Sequence, residues 1–407
     1  MPNMKKETFL SFVKKNGLRK YIKWLGIFAK CCIAKILLVF IGKNRKYKDL
    51  WVFAERGNDA RDNAMHLFRY VCKKCPDVNA VYIITKDSPD LKNVQDVGRI
   101  VYHGSWQHYL CYLVAKKKVS AHIFGGAPER NLFLRMDHVS FLKKLFVKGK
   151  YVFLQHGVTQ ADGPWLHRDK VRFDLFVTVS KREEQFVIER FGHPAQCVKS
   201  LGFARYDALP LTHQKTKKIL LMPTWRHYLS KCTAEDFEKT DYFKSFNSLL
   251  NSERLLSLLD QYGYELIFYP HFEMQKFLHL FTIPEKNVIA ASFENYDVQK
   301  LMIECDMMIT DYSSVQFDFA YMQKPILLYQ FDREAYQSGH QGKGYFDPDQ
   351  DAFGPVAKSL DDVVVHVESM LSQDCRMSDQ YMERMKSFFL YNDTQNCLRN
   401  FNAIKEL

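Results

Sequence analysis

No internal repeat, heptad run or low-complexity tract runs through the 407 residues, which sets aside solenoid, coiled-coil and disordered architectures. The ten cysteines form no disulfide framework. Cys31 and Cys32 are adjacent, Cys72-Lys-Lys-Cys75 stands without the second pair that zinc needs, and the other six are scattered. Reduced thiols in a reducing compartment are the expectation. The N-terminal region is not expected to be a cleavable leader, because the apolar stretch starts late and no small-residue cleavage site follows it. Basic excess is scarce beyond residue 50. The chain is +12 overall, yet residues 1–50 alone hold eleven Lys and two Arg against Glu7 and Asp49, a balance of +11 that leaves about +1 for the rest. A nucleic-acid enzyme would spread its basic groups over a binding face, so nucleic acid is not an expected partner.

What residues 1–48 do contain is basic and apolar together. Trp24 to Gly42, WLGIFAKCCIAKILLVFIG, approaches spanning length, but Lys30 and Lys35 interrupt it, and each would cost about 2.5–3.5 kcal/mol near a bilayer centre. The pattern predicts a monotopic element on an anionic membrane surface at the cytoplasmic face. Its lysines would reach headgroups, while Trp24 and Phe28 enter the acyl boundary. A true span and a buried helix pair with a basic rim are the alternatives.

With 47% hydrophobic and 14% aromatic residues the remaining chain can bury two cores. Strand-like runs form two series. The first comprises Leu50–Ala54, Ala80–Thr85, Ile100–His103, Val119–Phe124, Tyr151–Gln155, Leu175–Val179 and Val198–Phe203. After a polar stretch from Pro210 to Lys217 the second comprises Lys218–Met222, Glu265–Tyr269, Asn287–Ala290, Met307–Thr310 and Pro325–Tyr329. Strands alternating with helical patterns predict an α/β protein of two doubly wound parallel sheets facing a cleft. The expected units are residues 1–48, a first domain over 49–209, a second over 210–375, and C-terminal helices over 376–407.

Polar clusters fall where these strands end, which is where open parallel sheets bind ligands. Gln155-His156-Gly157 follows one strand. His156 is a candidate general base, with Gly157 allowing close backbone approach; a packing histidine is the competing reading. Pro223-Thr224-Trp225-Arg226 and Tyr269-Pro270-His271 follow strands of the second series. Arg226 suits bidentate phosphate binding and His271 can stabilise a departing phosphate. Met307 to Tyr329 reads as strand, turn, helix and strand, with Asp311, Ser313 and Ser314 at the turn. A helix N-terminus with two small hydroxyls suits a phosphate, although Ser and Asp cap ordinary helices too. Asp347, Asp349 and Asp351 alternate in a way that suggests a metal, but Pro348 favours a solvated turn.

These motifs, with GFARYD at Gly202 to Asp207, FDREAY at Phe331 to Tyr336, KGYFD at Lys343 to Asp347 and GPV at Gly354 to Val356, resemble the CDP-glycerol glycerophosphotransferase family of teichoic-acid and capsule synthesis. The resemblance covers roughly residues 50–370. It implies a GT-B fold: two Rossmann-like domains, with nucleotide held mainly by the second and acceptor approaching from the first. It also implies transfer of glycerol phosphate, or a related polyol phosphate, from a CDP-linked donor to a hydroxyl of a lipid-linked or glycan acceptor, releasing CMP. On the matching positions His156 would take the acceptor proton, and His271 and Arg226 would hold the donor diphosphate. Ser313 and Ser314 would complete that cradle, Asp311 would orient the turn, and Lys343 would add positive charge. Arg205 and Asp207 look like partners at the domain junction, with Gly157 and Thr224 in support. Many family members read Trp-His-Gly-Thr-Pro where this chain has Gln155-His156-Gly157-Val158-Thr159, so the acceptor side differs. A GT-B glycosyltransferase acting from a nucleotide sugar is the alternative, since one fold serves both reactions.

Phosphoryl transfer rests on positioning and charge stabilisation, which these groups could provide without a metal or cofactor. No carboxylate cluster is expected at a strand end of the first domain.

Overall fold

The computed structural model describes residues 17–212, 214–339 and 344–407. Lys343 and residues 1–16 lie outside them. The first sheet contains β1 (Trp51–Ala54), β2 (Ala80–Ile84), β3 (Arg99–Tyr102), β4 (Lys117–Ser120), β5 (Lys150–Phe153), β6 (Leu175–Thr178) and β7 (Val198–Ser200). Its order is β3-β2-β1-β4-β5-β6-β7. The second contains β8 (Lys218–Leu221), β9 (Glu265–Phe268), β10 (Val288–Ala290), β11 (Met307–Thr310), β12 (Ile326–Tyr329) and β13 (Val356–Ala357), in the order β10-β9-β8-β11-β12-β13. Every pairing is parallel.

Helices cover both faces of each sheet, so the strands are apolar on both sides: all four residues of β1, β6, β11 and β12 are buried. This is the two-domain GT-B arrangement expected. In each sheet the winding reverses beside the first strand, between β1 and β4 and between β8 and β11, and a crevice opens at the carboxyl ends of those pairs.

β4 begins earlier than its hydropathy suggests. Lys117 and Lys118 are buried within it. Lys117 Nζ donates to the carbonyls of Ile404 and Lys405, and Lys118 Nζ to that of Lys148, so backbone acceptors at neighbouring chain ends stand in for water. Extended structure stops at Ser120, and His122 lies beyond the strand rather than in it.

The helix Leu18–Ile41 packs on the first domain through Trp24, Ile27, Cys31 and Ala34. Trp24 lies under Arg135 and Phe28 packs against Phe146, so both aromatics face protein rather than lipid as expected from sequence. Lys35 likewise turns inward, its Nζ 3.3 Å from the Leu113 carbonyl. The opposite face bears Leu18, Ile22, Leu25, Ile33, Ile36, Val39 and Phe40, all exposed.

The final helix, Asn396–Lys405, returns to the first domain. Asp207 caps it, accepting from Asn396 N, Asn396 Nδ2 and Cys397 N at 2.8 Å each, and Phe401 packs on Trp51. The ten cysteines are free thiols. Burial raises the pKa values of Cys72 and Cys75, which keeps both protonated and unreactive.

Candidate active site

β5 ends at Phe153, and Gln155 adopts φ 57°, a left-handed conformation that a non-glycine residue holds only when its surroundings enforce it. The enforcement is visible. Gln155 Nε2 donates to Val177 O at 2.6 Å and Glu183 Oε1 at 3.0 Å, Thr159 Oγ1 donates to Gln155 Oε1 at 2.6 Å, and Asn63 Nδ2 reaches Gln155 O at 2.7 Å. Glu183, fully buried, also accepts from Thr159 N and Val179 N at 2.8 Å each. Burial pushes its pKa up to about 7 against the pull of those donors. The result is a rigid bend that turns His156 to the cleft, where the residue keeps access to solvent between walls of protein.

His156 stacks on His122, with ring centroids 5.0 Å apart and planes inclined by 22°. Enclosure by surrounding protein, then Arg56 and Arg205, lowers the His156 pKa to about 4, and burial with the same kind of positive surroundings depresses that of His122. Both imidazoles are therefore neutral at pH 7 and can accept a proton.

The carboxylates not expected at a strand end of the first domain are present. Glu55 directly follows β1, and with Asp62 and His122 it offers ligand-type atoms within 4.8 Å of one another. Glu55 Oε1 accepts from Ala64 N and Met65 N, whereas its buried Oε2 has no hydrogen-bond partner among the described residues. Burial raises its pKa well above the usual value, with Asp62 and Asp59 adding to the effect. Asp62 is committed to Arg205 at 2.9 Å. These three are the side chains that a cation could approach, although the Asp62–Arg205 pair already supplies much of the balancing charge.

Arg205 joins the domains. Its Nε and Nη2 meet Asp318 at 2.7 and 2.9 Å, and its Nη1 meets Asp62 and the His156 carbonyl at 2.9 and 3.1 Å. Arg205 and Asp207 both lie at the junction as expected, but they are not each other's partners: Asp207 serves the returning helix.

In the second domain Arg226 departs from its expected role. It is fully buried, pairs with Asp311 at 2.9 Å and grips Asp332 at 2.8 and 3.0 Å. The rings of Tyr242, Tyr312 and Tyr336 enclose it at 5.2, 5.0 and 4.9 Å. With both carboxylates bound, its guanidinium is a strut beneath the site and presents no face to a phosphate. Asp311 orients the turn through Thr224 N and Tyr312 N at 2.8 and 2.7 Å. Thr224 thus contributes its backbone.

The remaining candidates of the second domain follow β9 and β11. His271 is half-buried, stacks on Trp225 with centroids 5.8 Å apart, and accepts from Glu273 N at 3.2 Å through Nδ1. Ser313 and Ser314 are half-buried before the helix Val315–Tyr321, and Ser314 makes no side-chain cap. Gly157 lies directly against Ser314: a Cβ on the glycine would collide with the serine Oγ. The His156 loop and the serine turn are therefore in contact. Gln160 joins them further, reaching Tyr312 O at 3.5 Å and Gln316 Nε2 at 3.2 Å. At the cleft edge Arg182 pairs with Asp351 at 2.6 Å, and Ala161 bridges to Gly344.

Asp347 and Asp349 are exposed, in keeping with a solvated turn, and each of the three carboxylates has a protein partner. Asp347 caps the short helix Pro348–Asp351, Asp349 binds Arg333 at 2.6 Å, and Asp351 binds Arg182.

The chain matches the profile described as CDP-Glycerol:Poly(glycerophosphate) glycerophosphotransferase over residues 36–406. It belongs to this family. Among its relatives, the minor teichoic acid biosynthesis protein GgaB of Bacillus subtilis is 32% identical over 99% of this chain. This chain spans 45% of the length of GgaB. The teichoic acid poly(glycerol phosphate) polymerase of Bacillus spizizenii is 26% identical over 86% of this chain and 91% of its own length. Among solved structures, the wall teichoic acid polymerase TagF superposes with a TM-score of 0.66 at 17% identity, over 96% of this chain and 99% of that one. The S. aureus MnaA-UDP structure does so with a TM-score of 0.56 at 12% identity, over 88% and 95%. At these identities the structural matches establish the fold that this glycerophosphotransferase family member shares.

His122, Glu55, Asp62, Glu183 and Asp332 were not singled out from sequence. Glu55 carried a signal, a carboxylate immediately after a fully apolar run. His122 was concealed by the late placement of β4.

Proposed function

We propose that the chain transfers glycerol phosphate from CDP-glycerol to a hydroxyl of a glycerol-phosphate or glycan acceptor, releasing CMP. The observation that carries this reading is the apposition of Gly157 and Ser314, which brings a neutral His156 to the turn after β11. In the reaction His156 accepts the proton of the acceptor hydroxyl as its oxygen bonds to the β-phosphorus. The bond from that phosphorus to the bridging oxygen breaks, and CMP departs with the electron pair. His271, Ser313 and Ser314 hold the diphosphate and offset charge on the leaving phosphate. Positioning and electrostatics of this kind are what a loose phosphoryl-transfer transition state requires. Arg226 supports the reaction indirectly by fixing Asp311.

The family assignment favours glycerol phosphate, and ribitol phosphate is the polyol to test beside it. The apolar stripe from Leu18 to Phe40 and the basic leader support a peripheral position on an anionic, cytoplasmic membrane surface, from which a lipid-linked acceptor would be reached. CMP release from CDP-glycerol and CDP-ribitol with a membrane acceptor fraction, for wild type and His156→Ala, tests the reading. Release that depends on His156 supports it. Absence of CMP from both donors, with UDP formed from UDP-sugars, would replace it with glycosyl transfer.

A further inference from the structure

Beside the His122–His156 stack lies a cavity of about 250 Å³ lined by Arg56, His103, His122, Gly125, Glu129 and Arg130 among others. Its walls are fixed by a strained loop. Phe124 and Gly126 have φ of 49° and 72°, and a Cβ on Gly125 would strike Ser120 Oγ and the Glu55 carbonyl. Phe124 N is also held by the Tyr151 hydroxyl.

The charged side chains that line this cavity are Arg56, Arg130 and Glu129, and the arginines are in the majority. The side chain of Arg56 is 63% exposed, with one Nη on Asp59 at 2.9 Å. Arg130 is exposed and has no carboxylate partner among the described residues. Glu129, the one acid on the wall, is turned into the helix Arg130–Asp137, where Oε2 accepts from Leu132 N at 2.6 Å. Burial keeps His103 and His122 neutral. Two guanidinium groups thus flank a preformed cavity that adjoins the proposed base, and Arg56 lies close enough to both His122 and His156 to depress their basicity. On its other side Lys23 of the helix Leu18–Ile41 adds positive charge near His103.

Resting on the reading of His156 as the base, we propose that this cavity binds a phosphodiester of the acceptor chain, one polyol unit behind the reacting hydroxyl, with Arg56 and Arg130 as its ligands. A poly(glycerophosphate) acceptor carries one such anion per unit, so a terminal hydroxyl at His156 leaves the preceding phosphate about one glycerol length away, next to His122. Arginine suits that anion because its fork matches phosphate oxygens. Recognition of the preceding phosphate would make the site prefer an acceptor that already carries a glycerol phosphate unit.

The test uses the full chain in detergent with two acceptors, glycerophosphoglycerol and phosphate-free diglycerol. Arg56→Gln and Arg130→Gln should each raise KM for glycerophosphoglycerol about tenfold, with the double variant worse. They should leave KM for CDP-glycerol and for diglycerol within about twofold of wild type. Equal losses with both acceptors, or none with either, would overturn the proposal. Equilibrium binding of glycerophosphoglycerol without donor provides a readout independent of turnover. If wild type releases no CMP but binds this compound in a salt-sensitive way that the double variant loses, the cavity assignment stands and the reaction assignment fails. If turnover is normal and the double variant binds as wild type does, the cavity assignment fails alone. Melting curves control for folding, since neither arginine is buried.

Discussion

Gly157 of the first domain and Ser314 of the second lie so close that a Cβ on the glycine would collide with the serine Oγ. The contact fixes the separation of the proposed base from the proposed phosphate cradle. Gly157→Ala should hold the two loops apart and lower CMP release on the order of 10²-fold, while the melting temperature changes little because neither core is touched. Retention of near-normal turnover would show that the contact is not part of the working geometry.

The acid limb of kcat/KM should follow His156. Its pKa is lowered to about 4, so the base stays neutral far below the ordinary 6.5, and activity should decline only as pH falls toward 4. A limb centred at 6.5 or above would remove His156 from that role. Stability has a related dependence through fully buried His108, whose pKa is pushed down to about 3 by burial and by His103. The unfolded chain takes up that proton near 6.5 and the folded chain does not, so this contribution is complete above 6.5 and is lost as pH falls.

Arg226→Gln should damage folding rather than substrate binding. It leaves Asp311 and Asp332 without their cation inside a tyrosine cage, and the expected loss is about 3–5 kcal/mol. Chemical denaturation reads the effect. A variant of wild-type stability with raised KM for CDP-glycerol would restore the phosphate-ligand role.

Glu183→Gln tests the bend that presents His156. All three hydrogen bonds to the Glu183 carboxylate come from N–H donors, so an amide NH2 would face other N–H groups, at about 1–3 kcal/mol. The sign with pH is opposite to that of His108: a folded pKa of about 7 against an ordinary 4.5 means stability that is present below 4.5 and lost as pH rises through 7. Hydrogen exchange across residues 155–159 should quicken in the variant, and unchanged protection would dismiss the bracing role.

Ile36→Glu with Phe40→Glu should weaken co-sedimentation with anionic vesicles by about tenfold or more, without loss of fold, because both side chains are exposed. Removing residues 1–45 is a poorer test, since it would also strip Trp24, Ile27 and Cys31 from the domain surface. Equal sedimentation of the double variant would place the membrane contact elsewhere.

Much of this architecture was legible. Strands buried on both faces read as continuous apolar runs, and the polar turns after β5, β8, β9 and β11 stood out against them. What escaped depended on tertiary partners. Lys117 and Lys118 look like loop residues until the carbonyls of Lys148, Ile404 and Lys405 are brought to them, and that displacement hid His122. Arg226 looks like a phosphate ligand because its two neutralising carboxylates are distant in sequence. The helix Leu18–Ile41 reads as a monotopic element with Trp24 and Phe28 toward lipid, and only the surface of the first domain shows which face is docked and which is open.

Because the final helix returns to the first domain, the polypeptide passes between the two halves twice, once after Ala208 and again before Asn396, and both passages lie beside Arg205 and Asp207. Two adjacent covalent tethers act like the spine of a book. Arg205, held at that junction between Asp318 and the His156 carbonyl, ties the histidine loop to the helix after Ser314 a second time, so the spine and the site are braced by the same guanidinium.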